Sequence, residues 1–217
     1  MTILKWGFLL IGILLGTAII VLWVVTLIER NQAQQLKDKI PYSQDTSNRS
    51  HDIVIYFSRS GNTALAARHV AKRLDATLIA LKAPAYELGL NGLSHALKDA
   101  NSLKKQPKNL PLIIPSSIDL QGYDTVWLGS PVWLYSPAPP IWSFIENNRF
   151  DGQHVVLFNT FNSHFKDEYI AVFKAKVMAK GAISFEHRHL LRGRMTQQIT
   201  PDQMLKSIDK EWFDNTQ

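Results

Sequence analysis

The run Ile53-Val54-Ile55-Tyr56-Phe57-Ser58-Arg59-Ser60-Gly61-Asn62-Thr63 decides the reading of this chain. A short apolar strand empties into a loop of small hydroxyl residues around one glycine. A helix follows at once, because Ala67, Val70, Ala71 and Leu74 recur at i, i+3, i+4 and i+7 and give 63–74 one buried stripe. Such a turn builds an anion site: the loop backbone can close around a phosphate, Ser58, Ser60 and Thr63 can donate hydrogen bonds, and the positive helix end points at the ligand. Gly61 suits a backbone that wraps an anion, where φ > 0 or the lack of a Cβ is needed. The Walker pattern of two glycines before Lys-Ser/Thr is absent, so the loop suits a lone, pre-formed phosphate better than a triphosphate with Mg²⁺. The simpler alternative is a strand–helix turn whose hydroxyls cap the helix. Three hydroxyls plus Asn62 exceed what a cap needs. Arg59 could add charge to the phosphate or face solvent.

A second landmark lies seventy residues on, in Tyr123-Asp124-Thr125-Val126-Trp127-Leu128-Gly129-Ser130-Pro131-Val132-Trp133-Leu134-Tyr135. Again an apolar strand ends at a Gly/Ser/Pro turn, here followed by aromatic residues. Trp127 sits inside the strand and reads as core.

These two segments, in this order, resemble the flavodoxin family over roughly residues 52–212. Its phosphate loop has the form Ser/Thr-x-Ser/Thr-Gly-Asn-Thr after the first strand, matched here by Ser58-Arg59-Ser60-Gly61-Asn62-Thr63. The resemblance implies non-covalent FMN, with its phosphate on that loop and its isoalloxazine ring against Pro131, Val132, Trp133, Leu134 and Tyr135. A large, flat, mostly apolar ring wants aromatic faces and backbone groups for its polar edge. Trp133 and Tyr135 could instead cover the outside of the sheet. The resemblance also brings the loop after the fourth strand, Thr160-Phe161-Asn162-Ser163-His164, to the other side of the ring. Related sequences often carry glycines there, and this one has none. Phe161 could be a second ring contact, and Asn162 or Ser163 could meet the pyrimidine edge. His164 is either a proton donor to a reduced quinone or a helix cap.

The rest of the chain alternates strand and helix. Further strands are expected at 77–81, 125–129, 154–159 and 182–190, with the first at 53–57. Helices are expected at 93–103, 139–146, 166–180 and 201–212, and a proline-marked irregular stretch at 107–115. Pro139-Pro140 suit a helix's first turn. The expected fold is α/β, a flavodoxin-like doubly wound five-stranded parallel sheet of order 2-1-3-4-5. Ligand belongs at the carboxyl ends of strands one and three, where the winding reverses.

An N-terminal anchor precedes this domain. Residues 7–28 form 22 uncharged positions rich in Leu, Ile and Val, with Trp6 and Trp23 near the ends. At 1.5 Å per residue they span roughly 33 Å, enough to cross a bilayer. A secretory signal would have a shorter apolar region and a small-x-small cleavage site. The expected organisation is a transmembrane anchor (1–28), a polar linker (29–50) and the flavodoxin-like domain (51–217). The first part of the linker could continue the helix, and Ser43, Asp45, Thr46, Ser47 and Asn48 read as a flexible tether. Lys5 before the span and Arg30, Lys37 and Lys39 after it lean toward a cytoplasmic domain.

Zero cysteines exclude disulfides, thiol nucleophiles and cysteine-ligated clusters, so redox chemistry must come from a bound cofactor. The domain holds 19 Lys/Arg against 15 Asp/Glu, unlike the acidic docking face of shuttle flavodoxins. An anionic membrane surface would account for that balance, as would an ordinary soluble surface. His187, Arg188, His189, Arg192 and Arg194 could hold a nicotinamide phosphate, an anionic lipid or a partner, but a solvated strand end is the favoured reading. No metal-ligand spacing or nucleic-acid-binding motif stands out. The reading is a membrane-tethered FMN protein that passes electrons from a donor such as NAD(P)H to a redox protein or a membrane quinone. The alternative is a flavin-free binding or scaffold module.

Overall fold

The structure, a computed structural model, describes residues 2–37, 39–42, 50–102, 110–194 and 197–214. The expected tether Ser43–Asn48 and the start of the irregular stretch at Pro107 lie outside these residues, as does Leu103. Chain order is α1 (Thr2–Lys37), β1 (Asp52–Tyr56), α2 (Asn62–Leu74), β2 (Thr77–Ala80), α3 (Leu90–Ser102), β3 (Thr125–Trp133), β4 (Ser136–Pro137), α4 (Pro139–Asn147), β5 (His154–Phe161), α5 (Asp167–Ala179), β6 (Ser184–Leu191) and α6 (Pro201–Ile208). A π-helical turn, Asp209–Asp214, continues α6 in place of the α-helix expected to residue 212.

The sheet order is β2-β1-β3-β5-β6, with every pairing along that path parallel. Leaving out the two-residue β4, this is the expected 2-1-3-4-5 order. Both faces of the sheet are covered, which is why its central strands read as unbroken apolar runs. Ile53 and Ile55 of β1 join Val126, Leu128, Val155 and Leu157 in a core closed by Ile141 and Phe144 of α4 and Phe173 and Val177 of α5. Val54 points the other way and packs with Trp127, Val156 and Phe158 against Leu65 and Val70 of α2 and Met204 and Ile208 of α6. Trp127 is core, as expected.

Two further segments differ in detail from the sequence expectation. β3 does not stop at Gly129; it runs on through Pro131, which pairs with Thr160, and turns back as a hairpin with β4. Gly129 is therefore a mid-strand residue. A Cβ there would lie 2.4 Å from the Phe158 ring, so close packing rather than a turn demands the glycine.

The second is α1, which continues past the apolar run to Lys37, as the linker's first part allowed, but lies on the domain rather than leading away from it. Most large side chains from Trp6 to Ile28 are exposed, with Leu22 and Val25 half-buried, and the helix is long and apolar enough to cross a membrane. Beyond them Glu29 and Leu36 are buried, and Ile40 packs beyond the helix end. Leu36 and Ile40 join the α2/α6 core. The first part of the expected linker is thus a helical arm seated on the fold.

Candidate functional site

The site grows from the end of β1. Phe57 extends the ladder by donating its N–H to the Gly129 carbonyl at 2.9 Å. The chain then turns through Ser58–Ser60, and Gly61 starts α2 with φ 92°, a backbone only glycine adopts at no steric cost. A Cβ at Gly61 would also meet the Cβ of Leu36 at 3.2 Å, so α1 closes over this turn. Gly61, the N-cap of α2, has no side chain to cap the helix, so the N–H groups of the first turn are left open to an anion. Ser58 Oγ accepts from the Gly61 N–H at 3.2 Å, while Thr63 shares a hydrogen bond of 2.8 Å with Thr160 of β5.

Arg59 neither faces solvent nor is free. Its guanidinium is buried in an ion pair with Glu29 of α1 and also donates to the Gly89 carbonyl at 3.2 Å. Gln32, one turn further along α1, donates to the Ser60 carbonyl at 3.2 Å, and Arg68 of α2 donates to the Leu36 carbonyl at 2.5 Å. The helical arm thus grips the loop from both ends.

The cleft above the loop has two lobes. A polar one of about 90 Å³ is lined by eleven of the expected residues from the three segments and by four additions: Glu29, Gln32, Arg192 and Gln198. An apolar one of about 220 Å³ is walled by Val25 of α1, Leu93, Ala96 and Leu97 of α3, and Val132, Trp133 and Leu134. The lobes share Glu29, Arg59, Val132, Trp133 and Asn162, so they form one cleft, polar at one end and apolar at the other. A larger cleft of about 370 Å³ lies across Arg59, between the end of α1 and residues 80–88, and Gly61 lines that one. It lacks both the 131–135 turn and the 160–164 loop. Tyr135, Ser163 and His164 line none of the three.

Trp133 stands edge-on to Phe57 and Tyr86, with ring centroids 5.6 and 5.3 Å away, and these contacts fix its plane. Leu134 and Tyr135 form the two-residue turn between β3 and β4, with φ of 45° and 79°. Both central residues in the left-handed region make this a primed hairpin turn built without the usual Asn-Gly. Tyr135 lies against the His164 ring at 4.5 Å, and Lys166 Nζ lies 5.8 Å from the Tyr135 centroid. Phe161 is buried as the last residue of β5, edge-on to Phe165. Asn162, Ser163 and His164 are exposed beyond it.

These features coincide with those of a known family. The family model for flavodoxin matches residues 51–214. The chain belongs to the flavodoxin family. Among solved structures, a flavoprotein from Bacteroides uniformis is 22% identical, with a TM-score of 0.57 over 75% of this chain and 99% of that one. A flavoprotein from Bacteroides eggerthii is 24% identical, with a TM-score of 0.54 over 75% and 98%. A flavoprotein from Lactobacillus acidophilus, solved in complex with FMN, is 22% identical, with a TM-score of 0.51 over 64% and 93%. No curated protein matches the chain.

Within this flavodoxin framework, the residues present fit FMN. The polar lobe offers an uncapped helix start and a buried guanidinium nitrogen, Arg192 Nη1, with no partner. The apolar lobe offers the walls a ring needs. Arg192 is the site residue that sequence reasoning passed over, because the basic cluster read as a solvated strand end. The structure divides that cluster: Arg192 is buried and donates from Nε to Asn62 Oδ1 at 3.0 Å, whereas Arg194 is exposed. His187 bonds Asn159 at 2.8 Å, and Asn159 in turn donates to the Ser130 carbonyl at 2.9 Å. Burial, and then the neighbouring His189, hold the His187 imidazole down at about 4. Among the described residues no cluster suited to a metal ion occurs.

Proposed function

We propose that this chain is a membrane-tethered FMN protein that passes electrons to a quinone dissolved in the bilayer. The observation that carries the reading is the two-lobed cleft, with an anion loop at one end and an apolar, tryptophan-walled lobe at the other. FMN supplies the redox chemistry when bound, and the protein's part is position and electrostatics. In this reading the Ser58–Thr63 loop and the α2 start hold the phosphate. Pro131, Val132, Trp133 and Leu134 line one side of the ring, and Thr160, Phe161 and Asn162 the other. Tyr135, Ser163 and His164 take a supporting part at the rim.

The quinone, rather than a soluble redox protein, is favoured by Val25. It lies inside the apolar run of α1 and also lines the apolar lobe. A lipid-soluble acceptor would therefore meet the ring lobe close to where the helix leaves the hydrocarbon. The positive charge of Arg30, Lys37 and Lys39 after the span favours a cytoplasmic domain, where NAD(P)H-derived electrons are available.

The test is an FMN titration of the full chain in detergent micelles, followed by flavin fluorescence and absorbance. Saturation at one FMN per chain is expected, and the dithionite-reduced complex should be reoxidised anaerobically by a short-chain quinone. Saturable FMN binding without quinone reoxidation would shift the reading to a carrier serving a protein. No FMN binding at all would leave a flavin-free interaction module.

A further inference from the structure

We propose that Arg192 is the residue that makes this site select a phosphorylated flavin: its guanidinium receives the phosphomonoester and discriminates FMN from riboflavin. The inference rests on the flavin reading above and assigns its phosphate specificity to a residue outside the Ser58–Thr63 loop.

Four observations carry it. Arg192 is 5% exposed and lines the polar lobe beside Ser58, Ser60, Asn62 and Thr63. Its Nε is fixed on Asn62 Oδ1, the first residue of α2, while Nη1 is buried with no hydrogen-bond partner. Its backbone is locked as well: the N–H donates to the Phe161 carbonyl at 2.8 Å, and its carbonyl accepts from Ile199 at 3.0 Å. Gly193 follows at φ 92°, and a Cβ there would lie 2.5 Å from the Gln197 carbonyl oxygen, so the chain must fold back immediately. The guanidinium is thus held from both ends rather than trailing from a loop.

Charge decides between the two arginines of this lobe. Arg59 is already matched by Glu29. Arg192 has no carboxylate partner among the described residues. A buried, uncompensated cation is costly, and the cost is lifted when an anion arrives. The planar fork suits a phosphate, because Nε is used and the remaining N–H groups still point outward from the same plane. A neutral ribityl hydroxyl in the same place, as in riboflavin, leaves that cost in force.

The experiment compares FMN and riboflavin affinities of the full chain in micelles, for wild type, Arg192→Gln and Arg192→Lys, alongside the shift in melting temperature of the flavin-free protein with inorganic phosphate. In wild type FMN should bind well ahead of riboflavin. Arg192→Gln should lose about 10- to 100-fold in FMN affinity, the size of a charge-assisted hydrogen bond, with riboflavin affinity unchanged. Arg192→Lys should recover part of the difference. Phosphate should raise the wild-type melting temperature and not that of Arg192→Gln. Equal losses for FMN and riboflavin, or a phosphate shift that survives in Arg192→Gln, would overturn the assignment. If wild type binds neither flavin, the flavin reading fails by itself. A phosphate shift abolished by Arg192→Gln would still place an anion on this residue.

Discussion

Glu29 on α1 and Arg59 in the Ser58–Thr63 loop, thirty residues apart, form an ion pair with both side chains buried. A helix that begins in an apolar run of membrane-spanning length therefore makes electrostatic contact with the turn that opens α2. The same guanidinium that could meet a phosphate is matched by a carboxylate before any ligand arrives.

Removing that carboxylate should separate stability from binding. Glu29→Gln leaves Arg59 buried with its charge unmatched, and breaking a buried pair costs about 3 kcal/mol or more. The freed cation, however, faces the polar lobe. Chemical denaturation is expected to show a less stable flavin-free protein, while flavin titration shows tighter FMN binding. Weaker FMN binding in Glu29→Gln would mean that the pair shapes the loop and does not compete with phosphate.

The hydroxyl pair Thr63–Thr160 is buried and joins α2 to β5. Thr63→Val leaves the Thr160 hydroxyl without this partner, at about 1–3 kcal/mol. The double variant Thr63→Val/Thr160→Val removes both polar groups and should cost less than the sum of the singles. Urea denaturation of the three variants measures the coupling; strict additivity would mean the hydroxyls do not depend on each other.

Leu134 holds φ 45° in the hairpin turn that walls the apolar lobe. Non-glycine residues kept in this region cost about 1–3 kcal/mol each and collect at binding sites. Leu134→Asn, a residue at home in such turns, should stabilise the flavin-free protein by about 1 kcal/mol. Affinity for flavin should fall as the apolar wall is lost. Loss of stability would show that packing of the leucine outweighs its backbone strain.

His187 sets an acid limit. In the fold it takes up a proton only near 4, against 6.5 for an unperturbed imidazole. Between those values the unfolded chain binds more protons than the folded one, so the contribution is fully present above about 6.5 and lost as pH falls toward 4. Burial sets this first, then His189 by repulsion, with Asp167 acting in the opposite sense, while Asn159 holds the ring by a hydrogen bond. His187→Gln should flatten the melting temperature between pH 6.5 and 4 relative to wild type. An unchanged slope would assign the acid sensitivity to another group.

The central strands were legible because each is an unbroken apolar run, and α2 because its apolar residues recur at helical spacing. Those signals are local, and the strand order came from the alternation of strands and helices. The extension of β3 was hidden by Pro131, which lacks an N–H and reads as a terminator, although its carbonyl still accepts from Ala138 at 3.0 Å. The helical arm was half visible: Leu36 and Ile40 are apolar within a polar stretch and follow Glu29 at near-heptad spacing, but only the tertiary fold shows what they cover. Arg192 was out of reach, since its partner Asn62 lies 130 residues earlier and nothing in a basic cluster marks which member turns inward.

The continuity of α1 has a mechanical consequence. A flexible leash would let the domain tumble above the bilayer and sample many heights. An uninterrupted helix from the apolar run to Leu36 acts as a rod, and eight residues beyond Ile28 raise its end by only about 12 Å. In the proposed tethered arrangement, the cleft keeps one altitude and one heading relative to the lipid. Inserting a single residue after Ile28 would swing the domain about the helix axis by about 100°, far more than it would lift it.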